Sequence, residues 1–186
     1  RQRQMCIRDR SGTARVESVT RRVQVPRDAV GRHLVELESP AGAITAGLRI
    51  DQVEEVVERD TPLRGLMVPG AVNARLRAIG EDRRFDVELE KGRFYRVSVE
   101  ARSIGSPLDP LVYVVDAAGR ELARNDDVAG GVDSSLEFRA PARGRYEIGV
   151  GDLSTEISRR EAVFRLEVRP ARADFRLDVP QRVQFV

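Results

Sequence analysis

The segment RNDDVAGGVD gathers the side chains in this chain best suited to chemistry. Asn125, Asp126, Asp127 and Asp133 offer hard oxygen donors beside two glycines, the donor type and compact loop that calcium requires. The spacing departs from the D-x-[DN]-x-[DN]-G pattern of an EF-hand. Asx turns account for Asp126 and Asp127 equally well. Glycosidase-type hydrolysis fits less well, because the two aspartates are adjacent and no apolar pocket separates their proton affinities. Nucleophilic and zinc chemistry lack their parts. His33 is the only histidine and Cys6 the only cysteine, so no Ser-His-Asp set, Cys-His pair or His-rich metal motif can be assembled. His33 lies in the alternating stretch HLVELES, which makes it a surface or edge residue. No glycine-rich loop precedes a helix, so phosphate cradling has no support. Aromatics make up 5% with no tryptophan, which argues against a stacking platform for sugars or single strands.

Cys6 itself belongs to RQRQMCIRDR, which reads as a translated transposase-type sequencing adapter, CGG CAG CGT CAG ATG TGT ATA AGA GAC AGN. The match holds at every position from Arg1 to Arg10. Residues 1–10 are therefore expected to be a non-native extension, to be set aside before the fold is considered. An adapter joined here implies a gene cut upstream, and hence an export signal lost from view. The formal net charge is +2 for the whole chain. Without the opening stretch, 28 basic groups face 29 acidic ones, so nothing points to nucleic acid. Lys91 is the only lysine. The many arginines alternate with Asp and Glu, as on solvated sheet faces.

The elements that must position these residues are strands. FDVELE sets Phe85, Val87 and Leu89 on one face and Asp86, Glu88 and Glu90 on the other. YRVSVEA repeats the pattern with Tyr95, Val97, Val99 and Ala101, YEIGV with Tyr146, Ile148 and Val150, and FRLEV with Phe164, Leu166 and Val168. A period of two sustained this long predicts half-buried antiparallel strands. The turns EKG, DAAG and PARG each end on a glycine able to take positive φ. In SPLDP, two prolines stiffen the loop, with Asp109 expected to bond its own backbone. Tyr146, at a hairpin exit, is expected in the core with its hydroxyl on backbone or water. The fold class is therefore all-β, an antiparallel sandwich of jelly-roll-like form. Among 186 residues, 41% are hydrophobic and 33% charged, enough for a core. No apolar run approaches the roughly 18–20 residues of a membrane helix.

Composition and turn spacing divide the chain at 11–50, 51–64, 65–170 and 171–186. The first holds four short strand patterns, ARVESV, RRVQV, HLVELES and AITAGLRI, and reads as the C-terminal part of a domain. The second is a charged linker. The third holds some eight strand patterns, a full sandwich. The last begins a further β-domain.

The ordered set FDVELEKGRFYRVSVEA, GSPLDPLVYVVDAAGRELARNDD, VDSSLEFRAPARGRYEIGVGD and FRLEV resembles the bacterial pre-peptidase C-terminal domain family over about 65–170. VQVPRDAVGRHLVELESPAGAITAGLRI resembles the end of an immunoglobulin-like domain of the transcription-factor/plexin type. The resemblance implies a non-catalytic accessory module of a larger bacterial protein, placed outside the cell or in its envelope. Such a module would serve secretion, substrate attachment or spacing. The alternatives are a calcium-stabilised module that binds a protein or polysaccharide, and a fragment of an extracellular hydrolase whose catalytic domain lies elsewhere. The expected partners are neighbouring domains of the same chain and extracellular polymer. The resemblance also implies a calcium position before the sandwich, for which Glu55 and Asp60 are the retained candidates. Arg59 and Arg83 stand where oxygen ligands are expected, and a guanidinium repels calcium. Their pairing with Glu55, Glu58 or Asp60 would substitute salt bridges for the metal.

Overall fold

The computed structural model describes residues 28–39, 42–58, 63–78, 80–127, 131–154 and 162–171. The adapter-like stretch, Arg59, Asp60 and the segment expected to begin a further domain lie outside them. The chain divides into two compact units, Arg1–Ile50 and Asp51–Val186.

In the first unit the described residues form one antiparallel hairpin, β1 (Gly31–Ser39) and β2 (Gly42–Ile50). It is in continuous register from Gly31↔Ile50 to Ser39↔Gly42. HLVELES and AITAGLRI are thus strands as expected, while ARVESV and RRVQV fall outside the described residues. His33 is half-buried on β1, an edge strand of this two-stranded sheet, as expected.

The second unit is a two-sheet sandwich. Its strands are β3 (Glu54–Val57), β4 (Gly70–Arg75), β5 (Arg83–Leu89), β6 (Phe94–Glu100), β7 (Pro110–Asp116), β8 (Glu121–Asn125), β9 (Ser134–Arg139), β10 (Gly144–Asp152) and β11 (Val163–Pro170). One sheet runs β5-β10-β7-β8, the other β3-β4-β11-β6-β9. Neighbours pair antiparallel, except that β3 joins β4 in parallel. Among the described residues the only helical element is a 3-10 turn, Arg102–Ile104, and no helix is long and apolar enough to cross a membrane. The alternation fixes the core. Phe85, Val87 and Leu89 from one sheet and Phe164, Leu166 and Val168 from the other are buried in one cluster. Phe85 and Phe164 meet edge to face, 6.3 Å between centroids, an arrangement favoured by the ring quadrupoles.

Two local expectations are corrected. Part of the stretch taken as a linker is strand β3, and Glu58 after it is buried. The partner that makes this strand is β4, sixteen residues downstream at Glu54↔Gly70, and no local pattern advertises it. In SPLDP, Asp109 does not hold its own backbone. Its carboxylate pairs with Arg102 at 3.1 Å, and Asp152 accepts from the Asp109 N–H at 2.8 Å and the Ser154 N–H at 3.0 Å.

Turn chemistry behaves as expected. Gly119 sits at φ 78°, where a Cβ would be strained, and the Asp116 carboxylate accepts from the Ala118 and Arg120 N–H groups across that turn. Tyr146 is buried, and its hydroxyl accepts from Ala142 N–H at 3.2 Å and donates to Ala142 C=O at 2.8 Å. Tyr146→Phe keeps the ring and loses both bonds. The expected cost is about 1 kcal/mol, read as a fall of roughly 4 °C in a thermal melt.

Candidate functional site

The acidic loop is built as a turn. Asn125 closes β8: its Nδ2 donates to Asp127 C=O and to Ser135 C=O, each at 2.6 Å. The second bond ties the edge of one sheet to β9 of the other. Asn125 Oδ1 accepts from Asp126 N–H at 3.1 Å and from Asp127 N–H at 3.5 Å, the second being the contact of an Asx turn. Ser134 Oγ is buried between the carbonyls of Pro110 and Asp126. Asp133 turns away toward the exit of β6, where Oδ1 accepts from the N–H groups of Ala101 at 2.9 Å and Ser103 at 3.3 Å. Asp126 and Asp127 therefore stand together without Asp133. Glu55 lies on another element and Asp60 outside the described residues. Among the described residues no group of three or more Asp, Glu, His or Cys converges as metal ligands.

Glu55 belongs to a different cluster, centred on Arg165. Phe164, Leu166 and Val168 point into the core, so Arg165 and Glu167 fall on the outward face of the five-stranded sheet. Yet Arg165 is 3% exposed and Glu167 5%. The guanidinium lies 2.7 Å from Glu167, 3.1 Å from Asp51 and 3.5 Å from Glu55. Asn73 Nδ2 donates to Glu55 at 2.5 Å. Beside it, Arg83 pairs with buried Glu58, whose Oε1 also accepts from Leu63 N–H at 2.8 Å. The expectation that Arg83 would find a carboxylate from this segment is met by Glu58. Burial of Arg165 and Glu167 overturns the reading of the FRLEV charges as a solvated face.

A third arrangement lies on the outward face of the four-stranded sheet. Gly149 and Gly151 occupy successive outward positions of β10. Tyr113, the register partner of Gly149, lays its ring across the first. A Cβ built on Gly149 would stand 2.0 Å from Tyr113 Cζ, and one on Gly151 2.7 Å from Asp82 Oδ1. The Tyr113 hydroxyl donates to Asp82 at 2.7 Å. The Arg84 and Arg124 guanidinium carbons lie 5.7 and 5.2 Å from its ring centroid, within cation–π range. Arg84 also reaches Glu147 at 3.4 Å, and Arg124 reaches Glu121 at 2.7 Å. These side chains line a polar groove of about 720 Å³. The sequence carries its signal in YEIGVGD, since alternate glycines in a strand mark a close approach by another group.

Burial, and next the Asp82 carboxylate, push the Tyr113 phenol from 10.0 up to about 12. The unfolded chain sheds this proton first, so stability is expected to fall as pH rises between about 10 and 12. Ultraviolet titration should show one tyrosine ionising near the top of that window, and its loss in Tyr113→Phe assigns it.

No family model matches the chain. A probable subtilase-type serine protease of Deinococcus radiodurans is 40% identical over 67 residues, 36% of this chain and 9% of the protease. The matched segment thus spans about a tenth of that relative. Among solved structures, the pre-peptidase C-terminal domain of a collagenase from Bacillus anthracis is 12% identical, covering 64% of this chain and 99% of that one at a TM-score of 0.46. A periplasmic inhibitor of g-type lysozyme from Escherichia coli covers 64% and 99% at 12% identity and a TM-score of 0.37. A surface-associated copper-binding protein of Methylomicrobium album covers 57% and 98%, at 12% and 0.41. Likenesses of this degree say nothing about ligands.

Proposed function

We propose that the sandwich is a non-catalytic accessory module of a larger exported protein. The observation that carries this reading is the 67-residue match at 40% identity to a subtilase-type protease that is far longer than the match. The site geometry agrees, because the best-placed carboxylates serve the fold. Asp116 holds a turn, Asp133 the exit of β6, and Asp152 the SPLDP loop. The test joins this chain to the catalytic domain of a subtilase-type protease. Hydrolysis of a soluble peptide should not change, whereas yield in the medium or activity on an insoluble protein should rise. A soluble-peptide rate that depends on the module would overturn the reading.

A second reading, attachment to polymer, is favoured by the groove over Tyr113, whose mixed guanidinium and carboxylate lining suits a polar chain. Cosedimentation with insoluble protein and with insoluble polysaccharide tests it. Arg84→Ala with Arg124→Ala should weaken retention while leaving the fold intact. Retention equal to wild type would remove the groove from that role.

A further inference from the structure

The resemblance implies calcium before the sandwich, and the residues there do not fit it. Calcium takes six to eight oxygen donors, whereas a guanidinium only donates hydrogen bonds and carries its own positive charge. Among the described residues of β3 and its flanks, Asp51, Glu55 and Glu58 each already face an arginine. Glu58 Oε1 holds Arg83 and the Leu63 N–H. Glu55 and Asp51 face Arg165, and so does Glu167 from its own strand. Arg169 approaches Glu167 from the other side at 3.5 Å.

We propose that this module carries its cation covalently. Arg165, nearly inaccessible on β11, bridges three carboxylates and fastens the β3 segment to β11 across β4, with Arg83 as a second fastening on Glu58. Arginine stays charged at every pH a protein meets and cannot dissociate. The fold is therefore indifferent to divalent ions and to chelators. A calcium-fastened module would loosen wherever calcium is scarce; this one would not. The same geometry ties Asp51, just before β3, to a side chain 114 residues away in sequence.

The first test is a thermal melt of the whole chain with calcium and with a chelator. Equal midpoints are expected, and a rise with calcium that the chelator reverses overturns the proposal. The second is a double-mutant cycle. Arg165→Gln should lower the midpoint by roughly 10 °C, since it removes the cation that Asp51, Glu55 and Glu167 share. Glu167→Gln should lower it in the wild type but raise it beside Arg165→Gln. A loss in both backgrounds would make Arg165 a packing residue and overturn the charge role. Should Arg165→Gln not fold, Glu55→Gln gives a milder reading by hydrogen exchange. Amides of Glu54–Val57 should exchange faster while those of β6 keep their protection. Unchanged exchange at β3 would refute the fastening.

Discussion

Phe164→Ala is expected to destabilise the sandwich by about 4 kcal/mol, a large share of the margin a domain of this size has. Phe164 is 1% exposed near the start of β11, and its ring meets Phe85 from the opposite sheet edge to face. Truncation removes the transfer energy of a buried ring and leaves a cavity between two sheets whose backbones are held by ladders and cannot close over it. Chemical denaturation should show the midpoint displaced to lower urea with the slope unchanged. Phe94 supplies the contrast. It is 54% exposed, with Arg139 over its ring at 5.8 Å, so Phe94→Ala should change stability by about 0.5 kcal/mol or less. Equal losses at the two positions would contradict the placement of the core.

Gly149→Ala adds one methyl group and is expected to cost about 2–3 kcal/mol. The new Cβ would lie 2.0 Å from Cζ and 2.4 Å from Cε2 of Tyr113, so the ring must leave the sheet. It cannot swing freely, because Asp82 holds its hydroxyl and Arg84 and Arg124 flank it. Two readouts follow. The phenol, expelled into water, should ionise near 10 instead of about 12. In a Tyr113→Ala background the glycine substitution should be nearly neutral, since the obstructed group is gone. A full cost retained in that background would mean the backbone, not the ring, demands glycine.

What the sequence made legible is whatever repeats locally. Phe85, Val87 and Leu89 announce their face by alternation alone, and so do Tyr95 through Ala101 and Phe164 through Val168. Gly119 and Tyr146 were readable because turn chemistry acts over a few residues. The misses share the opposite property. EEVV looks like charged linker until β4 arrives beside it, because a four-residue edge strand buries too little to show a pattern. Arg165 and Glu167 alternate with core residues just as solvated charges do, and only the carboxylates of Asp51 and Glu55 distinguish them. Asp109 and Asp152 compete for the same loop, and the winner is 43 residues away in sequence from the amide it holds. Asp126, Asp127 and Asp133 share a segment, yet Asp133 turns to β6, a choice made by backbone amides that spacing does not reveal. For the candidate site, then, residue types were legible and their partners were not.

The parallel pairing of β3 with β4 has a mechanical consequence. Glu54 lies beside Gly70, and Gly70 beside Val168, so the chain enters and leaves the sandwich at one end of one sheet. Tension applied through those two strands falls on that end. It opens ladder rungs one after another instead of shearing them together. As a tether between an anchored surface and a moving load, the module would yield early. Each residue peeled free would lengthen the chain by roughly 3.4 Å.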